Sequence, residues 1–311
     1  MISSVRRVAR VLVAAFAAFS LLAAGVSLTQ ASPQSRTWTV LVGAQSRSQA
    51  IQGMAYLPAN VYIHPGDTVR WLANAAEPHT VTFLADGQAA PEFNPGDLSQ
   101  LFPSGTDTYD GSSYYNSGIL ATSDGSGLPV RDSYSLTFPE AGTFSYLCLV
   151  HGVVQTGWVH VIPADQPYPF TQSQYDAQAQ ASIRAMVTDG NRLRSQALQT
   201  ADSHTVIMGA DDGVAMLMEF VRPTVVVHTG ESVTFRNDGM GAPHTVTFGN
   251  EPANPFAPLG DPTSYTGGDL NSGIVPPGGS FTVTFDKAGT FPYICALHDY
   301  MGMVGRVIVQ P

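Results

Sequence analysis

The sequence has few cysteines and few charged side chains. Cysteine occurs only twice in 311 residues, charged residues make up 12%, and the formal net charge is −10. Binding to a phosphate backbone requires clustered lysine and arginine, and no such cluster occurs beyond the N-terminus. Nucleic acid is therefore not expected as a partner.

Long apolar runs are also absent after the first residues of the chain. The N-terminal segment begins with a basic stretch that includes Arg6 and Arg7, followed by the apolar run 11–26 and by small residues ending at Ala31. This order predicts a signal peptide over residues 1–31 and an exported protein in the periplasm, outside the cell or on its surface. Sec and twin-arginine export both stay open. Retention of the segment as an anchor is the alternative, and only then would the membrane be a partner.

Length and composition favour two β domains. A chain of 311 residues is about twice the usual domain length of roughly 100–200 residues. Its 30 glycines and 22 prolines separate short runs rich in valine, threonine, tyrosine and phenylalanine. This pattern is typical of turn-rich β-sandwiches.

An internal repeat supports the same organisation. Apolar and polar residues alternate within each repeated block, which predicts short antiparallel strands joined by turns. The paired blocks are Val61–Trp71 with Val225–Phe235, Pro78–Phe83 with Pro243–Phe248, Asn116–Ile119 with Asn271–Ile274, and Tyr134–His151 with Phe281–His298. We therefore expect a first domain over residues 37–163 and a second over 204–311.

The segment 164–203 between the predicted domains has a different composition. Ile183, Met186 and Leu193 recur there at helical spacing, so we predict a linker with one amphipathic helix. Within the first domain, the Gly, Ser, Asp and Tyr-rich residues 85–130 are interpreted as a solvated loop.

His64 and His228 occupy matching places in the repeat. Each is followed at once by turn residues. We interpret both as surface residues of turns and assign neither to a metal site.

The two cysteines indicate a metal site in each half. Because Cys148 and Cys295 lie in different halves, a disulfide within either half is excluded, while a disulfide between the halves and two free buried thiols stay open. Each cysteine is followed three residues later by a histidine, His151 or His298. A thiolate and two imidazoles in one plane, with a weak axial group, suit copper that cycles between Cu(I) and Cu(II).

The second half resembles one known family. Residues 295–307 have the spacing C-x2-H-x4-M followed by V-G-R-V, which is similar to the copper loop of plastocyanins. Residues 237–244 resemble the first-histidine loop of that family. The resemblance covers residues 204–310 and implies a cupredoxin-type, plastocyanin/azurin-like blue copper fold. The chain would then be all-β, with two tandem Greek-key β-sandwiches joined by a partly helical linker.

The resemblance also implies the ligands of a type 1 copper in the second domain. They are His244, Cys295, His298 and the axial Met303. Met301 has the shorter spacing seen in amicyanin-like proteins, but the register on the following glycine favours Met303.

The first domain keeps most of the same pattern. His79, Cys148 and His151 match the first three ligands, but the loop is one residue shorter. Aligning Gly157 with its counterpart places Gln155 at the axial position. Glutamine is an axial ligand in the stellacyanin-like branch of the cupredoxins, so the resemblance implies a second type 1 copper here.

Electron transfer is the function expected from these sites. Multicopper oxidases and copper nitrite reductases use the same domains but need a histidine beside the type 1 cysteine or His-x-His pairs, and the sequence has neither. We expect a protein that is not an enzyme and that meets a redox partner protein transiently, with His298 as the ligand nearest the surface. Copper binding and sequestration is the alternative, and a two-domain copper oxidase or nitrite reductase is less favoured.

Overall fold

Alternating side-chain burial explains why short segments of this chain form strands. Val225 and Val227 are buried, whereas Val226 between them is 49% exposed. Successive side chains of a strand point to opposite faces of its sheet. Such a segment therefore turns one face toward a core and the other toward solvent.

The computed structural model describes residues 34–311. The signal peptide predicted for residues 1–31 lies outside this range. Within residues 34–311, no helix combines the length and the hydropathy that crossing a bilayer requires.

Strands dominate both halves of the described chain. In chain order, those of the first half are β1 (Thr37–Gln45), β2 (Ile51–Leu57), β3 (Asn60–Ile63), β4 (Asp67–Ala73), β5 (Thr82–Phe83), β6 (Pro103–Ser104), β7 (Tyr115–Ser117), β8 (Ile119–Leu120), β9 (Val130–Arg131), β10 (Ser133–Phe138), β11 (Gly142–Cys148) and β12 (Gly152–Val161). Those of the second half are β13 (Thr205–Asp211), β14 (Ala215–Val221), β15 (Thr224–His228), β16 (Ser232–Arg236), β17 (Thr247–Phe248), β18 (Leu270–Asn271), β19 (Ser280–Thr284), β20 (Gly289–Ile294) and β21 (Val304–Gln310). The helices are α1 (Leu98–Leu101) and α2 (Gln172–Thr200), and a 3-10 turn spans Asp299–Met301.

The first sandwich packs two sheets around an aromatic core. One sheet has the order β3, β12, β11, β5, β7, β6, and the facing sheet contributes β10, β4, β1 and β2. Trp71, Phe83, Phe138 and Tyr146 lie between them and are at most 1% exposed. The rings of Trp71 and Tyr146 meet edge to face with centroids 5.2 Å apart, which is a favourable aromatic geometry. Cys148 belongs to this core.

The second sandwich repeats this arrangement. One sheet has the order β15, β21, β20, β17, β18, and the facing sheet contributes β14, β13, β16 and β19. Phe235, Phe248 and Tyr293 are buried between the sheets together with Cys295 and Met303. The prediction of a mostly β chain is confirmed.

The two sandwiches share one continuous sheet. Strand β2 of the first sandwich pairs antiparallel with β14 of the second, with Ile51 opposite Leu217. The Met54 amide also donates a hydrogen bond to the Val214 carbonyl oxygen, with a normal nitrogen-to-oxygen distance of 3.0 Å. The repeat gave no sign of this pairing, because an edge strand pairs through backbone groups that every residue carries.

Helix α2 covers the junction between the sandwiches. Thr171 caps its first turn in a capping box with Gln174, which satisfies exposed backbone donors. Met186 and Leu193 are buried against the shared sheet. Gly190 allows close approach, since an added Cβ would lie 2.4 Å from an Ile51 methyl carbon. The linker helix expected from the spacing of apolar residues therefore joins the two sandwiches by packing as well as by covalent connection.

The segment 85–130 is more ordered than its composition suggests. Tyr109 and Tyr115 are each 5% exposed and pack in the core of the first sandwich. The rings of Tyr109 and Phe83 lie with centroids 4.6 Å apart. The interpretation of the whole segment as a solvated loop is wrong, because its tyrosines reach back into the core.

The two turn histidines have different environments. His228 is exposed as predicted, but His64 is only 8% exposed. The His64 ring stacks on Tyr168 with centroids 3.8 Å apart, and its Nε2 lies 2.9 Å from the Gln166 carbonyl oxygen. The surface assignment of His64 is wrong because the segment leading to α2 folds over this turn.

Candidate metal centres

The second sandwich brings its candidate ligands together at one end. His244 precedes β17, and Cys295 follows directly on β20. His298 and Met303 lie in the connection from β20 to β21. The Cys295 amide donates to the Met303 carbonyl at 3.0 Å, which closes this loop and fixes the separation of its residues.

The potential donor atoms of this second centre lie close to one another. Cys295 Sγ is 3.4 Å from His298 Nδ1 and 3.8 Å from His244 Nδ1, and the two Nδ1 atoms are 3.1 Å apart. Metal bonds of about 2.0–2.3 Å to nitrogen and sulfur place neighbouring donors about 3–4 Å apart. The three side chains therefore fit around one metal ion.

The first sandwich assembles the same set with an amide. Cys148 Sγ is 3.4 Å from His151 Nδ1. The Gln155 side-chain oxygen lies 2.9 Å from His79 Nδ1 and 3.0 Å from His151 Nδ1. The Gln155 amide nitrogen donates to the Ala55 carbonyl at 3.2 Å, which turns the oxygen toward the imidazoles. The donors of this first centre fit one metal ion as well.

Backbone donors stabilise both sulfur atoms. The amides of Thr80 and Thr245 each donate to the nearby cysteine sulfur at 3.3 Å. Burial raises the pKa of Cys148 and of Cys295, but the adjacent imidazoles outweigh it and hold both pKa values well below the usual range. The thiolate is the form that binds metal, so the sites favour the state that coordination needs.

The imidazoles of His151 and His298 carry the positive charge that compensates the negative charge of the cysteine thiolates. Burial lowers the pKa of His151, but the Cys148 thiolate and the Glu77 carboxylate outweigh it and raise this pKa to about 10. The pKa of His298 is also raised, because the effect of Cys295 outweighs that of burial. A metal ion that binds these histidines displaces the proton from the imidazole. The metal then supplies the positive charge next to the thiolate that the proton supplied before.

The two methionines of the second loop have different surroundings. Met303 is fully buried in the core that contains Cys295. Met301 packs instead with Met54 and Met216 in a cluster between the sandwiches. This placement is compatible with the axial role predicted for Met303.

Two glycines that lie beside His79 and His244 were not predicted from the sequence. Gly43 and Gly209 lie at irregular positions of β1 and β13 and have φ values of +75° and +70°. An added Cβ would lie 2.4 Å from His79 Nε2 at Gly43 and 2.7 Å from His244 Nε2 at Gly209. Both glycines thus leave room for a candidate ligand imidazole at a bulge. Their signal was a matched glycine inside two otherwise apolar strands.

Replacing Gly209 with alanine is expected to disturb the second centre. The positive φ should cost about 1–3 kcal/mol of unfolding free energy, and the collision with His244 should weaken copper binding in addition. Gly213→Ala is the matched control, because Gly213 has φ +84° but no atom within 4 Å of its added Cβ. Denaturant unfolding and copper titration of both variants test this. Equal copper affinities in the two variants would contradict the proposed contact.

A cavity between the sandwiches adjoins both centres. This interdomain cavity has a volume of about 260 Å³, and His151, His298, Glu77 and Met240 contribute to its lining. His298 is 7% exposed, compared with 1% for His244. His298 is thus the more exposed of the two histidines of its centre, as expected, and the cavity that it lines also includes residues of the first sandwich.

Glu77 is a further residue that the sequence did not single out. It is 6% exposed, and its Oε1 lies 3.6 Å from His151 Nε2. Burial raises the pKa of Glu77, but the nearby histidines, His151 first among them, outweigh it and lower this pKa. Its only signal was a carboxylate two residues before His79, where the second half has Ala242.

Comparison with known proteins identifies relatives of both halves. A model of copper binding proteins of the plastocyanin/azurin family matches residues 43–161 and 204–310. Chloroplastic plastocyanin of Tetradesmus obliquus is 40% identical over 111 residues, which cover 36% of this chain and 70% of that protein. Plastocyanin B'/B'' of Nicotiana tabacum is 38% identical over 105 residues, which cover 34% of this chain and 98% of that protein.

Among solved structures, a mutant amicyanin in its Cu(I) form is similar to part of the chain. It is 28% identical, and the match covers 37% of this chain and 89% of amicyanin with a TM-score of 0.25.

Proposed function

The chain belongs to the plastocyanin/azurin family of copper-binding proteins, and from this premise we propose that it is an exported electron carrier with two type 1 copper centres. His244, Cys295, His298 and Met303 would hold one copper, and His79, Cys148, His151 and Gln155 the other. Copper in such a set of ligands supplies one-electron transfer with little change of geometry.

The observation that carries this proposal is the close approach of one sulfur and two imidazole nitrogens in each sandwich. In each group all donor atoms lie within 4.8 Å of one another. Isolated β-bridges, to Leu120 in the first sandwich and to Val275 in the second, hold the first histidine, and a short loop fixes the cysteine and the second histidine. A site that is assembled before metal binding needs little reorganisation when the metal changes charge.

The organisation of the proposed carrier follows from the sequence. A signal peptide over residues 1–31 would direct export, and domains over 37–163 and 204–311 would each hold one centre, joined by the segment 164–203. The sequence offers no His-x-His pair for a second kind of copper site. The protein would therefore exchange electrons with a redox partner protein in transient encounters rather than transform a substrate.

Optical titration of the copper-loaded protein tests the proposed role. We expect an intense blue copper-thiolate absorption that ascorbate bleaches and an oxidant restores over repeated cycles, because both thiolates and both histidine pairs are in place before the metal binds. The metal-free protein is the control.

Two outcomes would contradict electron transfer. A colourless protein that retains only Cu(I) would indicate copper sequestration instead. Sustained turnover of nitrite or of a phenol would indicate a copper enzyme.

A further inference from the structure

Glu77 places a carboxylate beside a ligand histidine at the interface of the sandwiches. The residue lies two positions before His79 and is 6% exposed. Its backbone amide donates to the Gln52 side-chain oxygen at 3.4 Å. The Glu77 Oε1 atom lies 3.6 Å from Nε2 of His151. The carboxylate is thus held on the outer side of the first centre.

Two atoms of the Glu77 and His151 side chains lack hydrogen-bond partners. Within residues 34–311, Glu77 Oε2 and His151 Nε2 are both buried and lack a hydrogen bond. A buried polar group without a partner is destabilising, and a buried charge more so. A small closure of the 3.6 Å gap between Glu77 Oε1 and His151 Nε2 would give this imidazole nitrogen an acceptor.

The other ring nitrogen of His151, Nδ1, faces the candidate copper ligands. This Nδ1 lies 3.4 Å from Cys148 Sγ and 3.0 Å from the Gln155 side-chain oxygen, on the side of the candidate copper ligands. Nε2 must then carry the ring proton when Nδ1 binds a metal ion. Ligand histidines commonly donate this second N–H to a carboxylate, which fixes the ring and strengthens the ligand.

The second half does not repeat this feature. Ala242, one residue before the matched block, stands at the place of Glu77, and the alanine has no side-chain acceptor. The corresponding ligand, His298, lines the interdomain cavity. The two centres thus differ on their outer side as well as in their axial residue.

From this geometry we propose that Glu77 is a positioning residue of the first centre, whose carboxylate accepts the Nε2 hydrogen bond of His151 and directs Nδ1 toward Cys148. The inference rests on the proposed function, because it takes His151 as a copper ligand.

The copper affinity of each centre, measured in a variant that lacks the other centre, tests the inference. Cys295→Ala leaves the first centre intact, and Cys148→Ala leaves the second. Adding Glu77→Gln, which keeps the size of the side chain, should weaken copper binding of the first centre about 10- to 100-fold in competition with a chelator. The same change should leave the affinity of the second centre unaltered. The exposed Glu92 provides the control variant Glu92→Gln.

Electron spin resonance separates positioning from a general loss of structure. Glu77→Gln should change the copper hyperfine splitting of the first centre and leave that of the second unchanged, while the circular dichroism of the metal-free protein stays the same. If Glu77→Gln fails to fold, Glu77→Asp serves, and its shorter carboxylate should weaken the first centre alone.

Three results would overturn the inference. The first is an affinity of the Glu77 variant equal to that of the Glu92 control. The second is equal weakening of both centres. The third is failure of the Cys295→Ala protein to bind copper at all, in which case the Cys148→Ala protein still reports separately on the proposed function.

Discussion

Replacing Cys295 with alanine is expected to remove copper from the second centre completely. The thiolate is the one anionic donor of that centre, and the remaining donors are neutral imidazoles and a thioether. One copper per chain should be lost, together with its share of the blue absorption. The copper-linked part of the stability should disappear as well, about 4 kcal/mol at a free copper concentration about 1,000 times the dissociation constant.

Cys148→Ala is the matched variant for this experiment. It removes the equivalent thiol from the first sandwich, where Cys148 is also buried in the core. Copper analysis, absorption spectra and unfolding curves with and without copper should therefore give complementary losses in the two variants. Retention of a full thiolate absorption in Cys295→Ala would show that Cys295 is not a ligand.

Replacing Gln155 with methionine is expected to raise the reduction potential of the first centre. The Gln155 oxygen lies 2.9 Å from His79 Nδ1 and 3.0 Å from His151 Nδ1, the imidazoles of the proposed ligands. A hard amide oxygen stabilises Cu(II), whereas a thioether favours Cu(I). We expect the wild-type first centre to have the lower potential of the two, and the substitution to raise it by more than about 59 mV, a tenfold change in the one-electron equilibrium.

Redox titration in the Cys295→Ala background measures the first centre alone. The reciprocal change, Met303→Gln in the Cys148→Ala background, should lower the potential of the second centre. Met303 is fully buried. Its replacement also tests which methionine is the axial ligand, because the potential should fall only if Met303, and not Met301, has that role. A wild-type first centre with a potential equal to or above that of the second would contradict the account.

The internal repeat, together with the resemblance of residues 204–310 to plastocyanins, was sufficient to predict the fold family and the cofactor. The alternation within the repeated blocks predicted two sandwiches, and the cupredoxin-type family and copper as the cofactor are confirmed by the matches over residues 43–161 and 204–310. The ligand assignments stay predictions. They came from the histidine three residues after Cys148 or Cys295, which one loop fixes, together with the resemblance to the plastocyanin copper loop.

Features that depend on contacts between distant segments of the chain could not be predicted. The pairing of β2 with β14 uses backbone groups and has no side-chain signature. The burial of His64 depends on a distant tyrosine, Tyr168. Glu77 gains its role only because the folded chain places it 3.6 Å from His151. A comparison of the two repeats does not reveal such contacts between residues that are distant in the sequence.

Copper content per chain, measured together with the electron spin resonance spectrum of the oxidised protein, tests the central claim most directly. The account predicts two copper ions per chain, both type 1, with each signal lost in one of the two cysteine variants. A chain that binds no copper, or whose copper gives only signals without thiolate character, would contradict it.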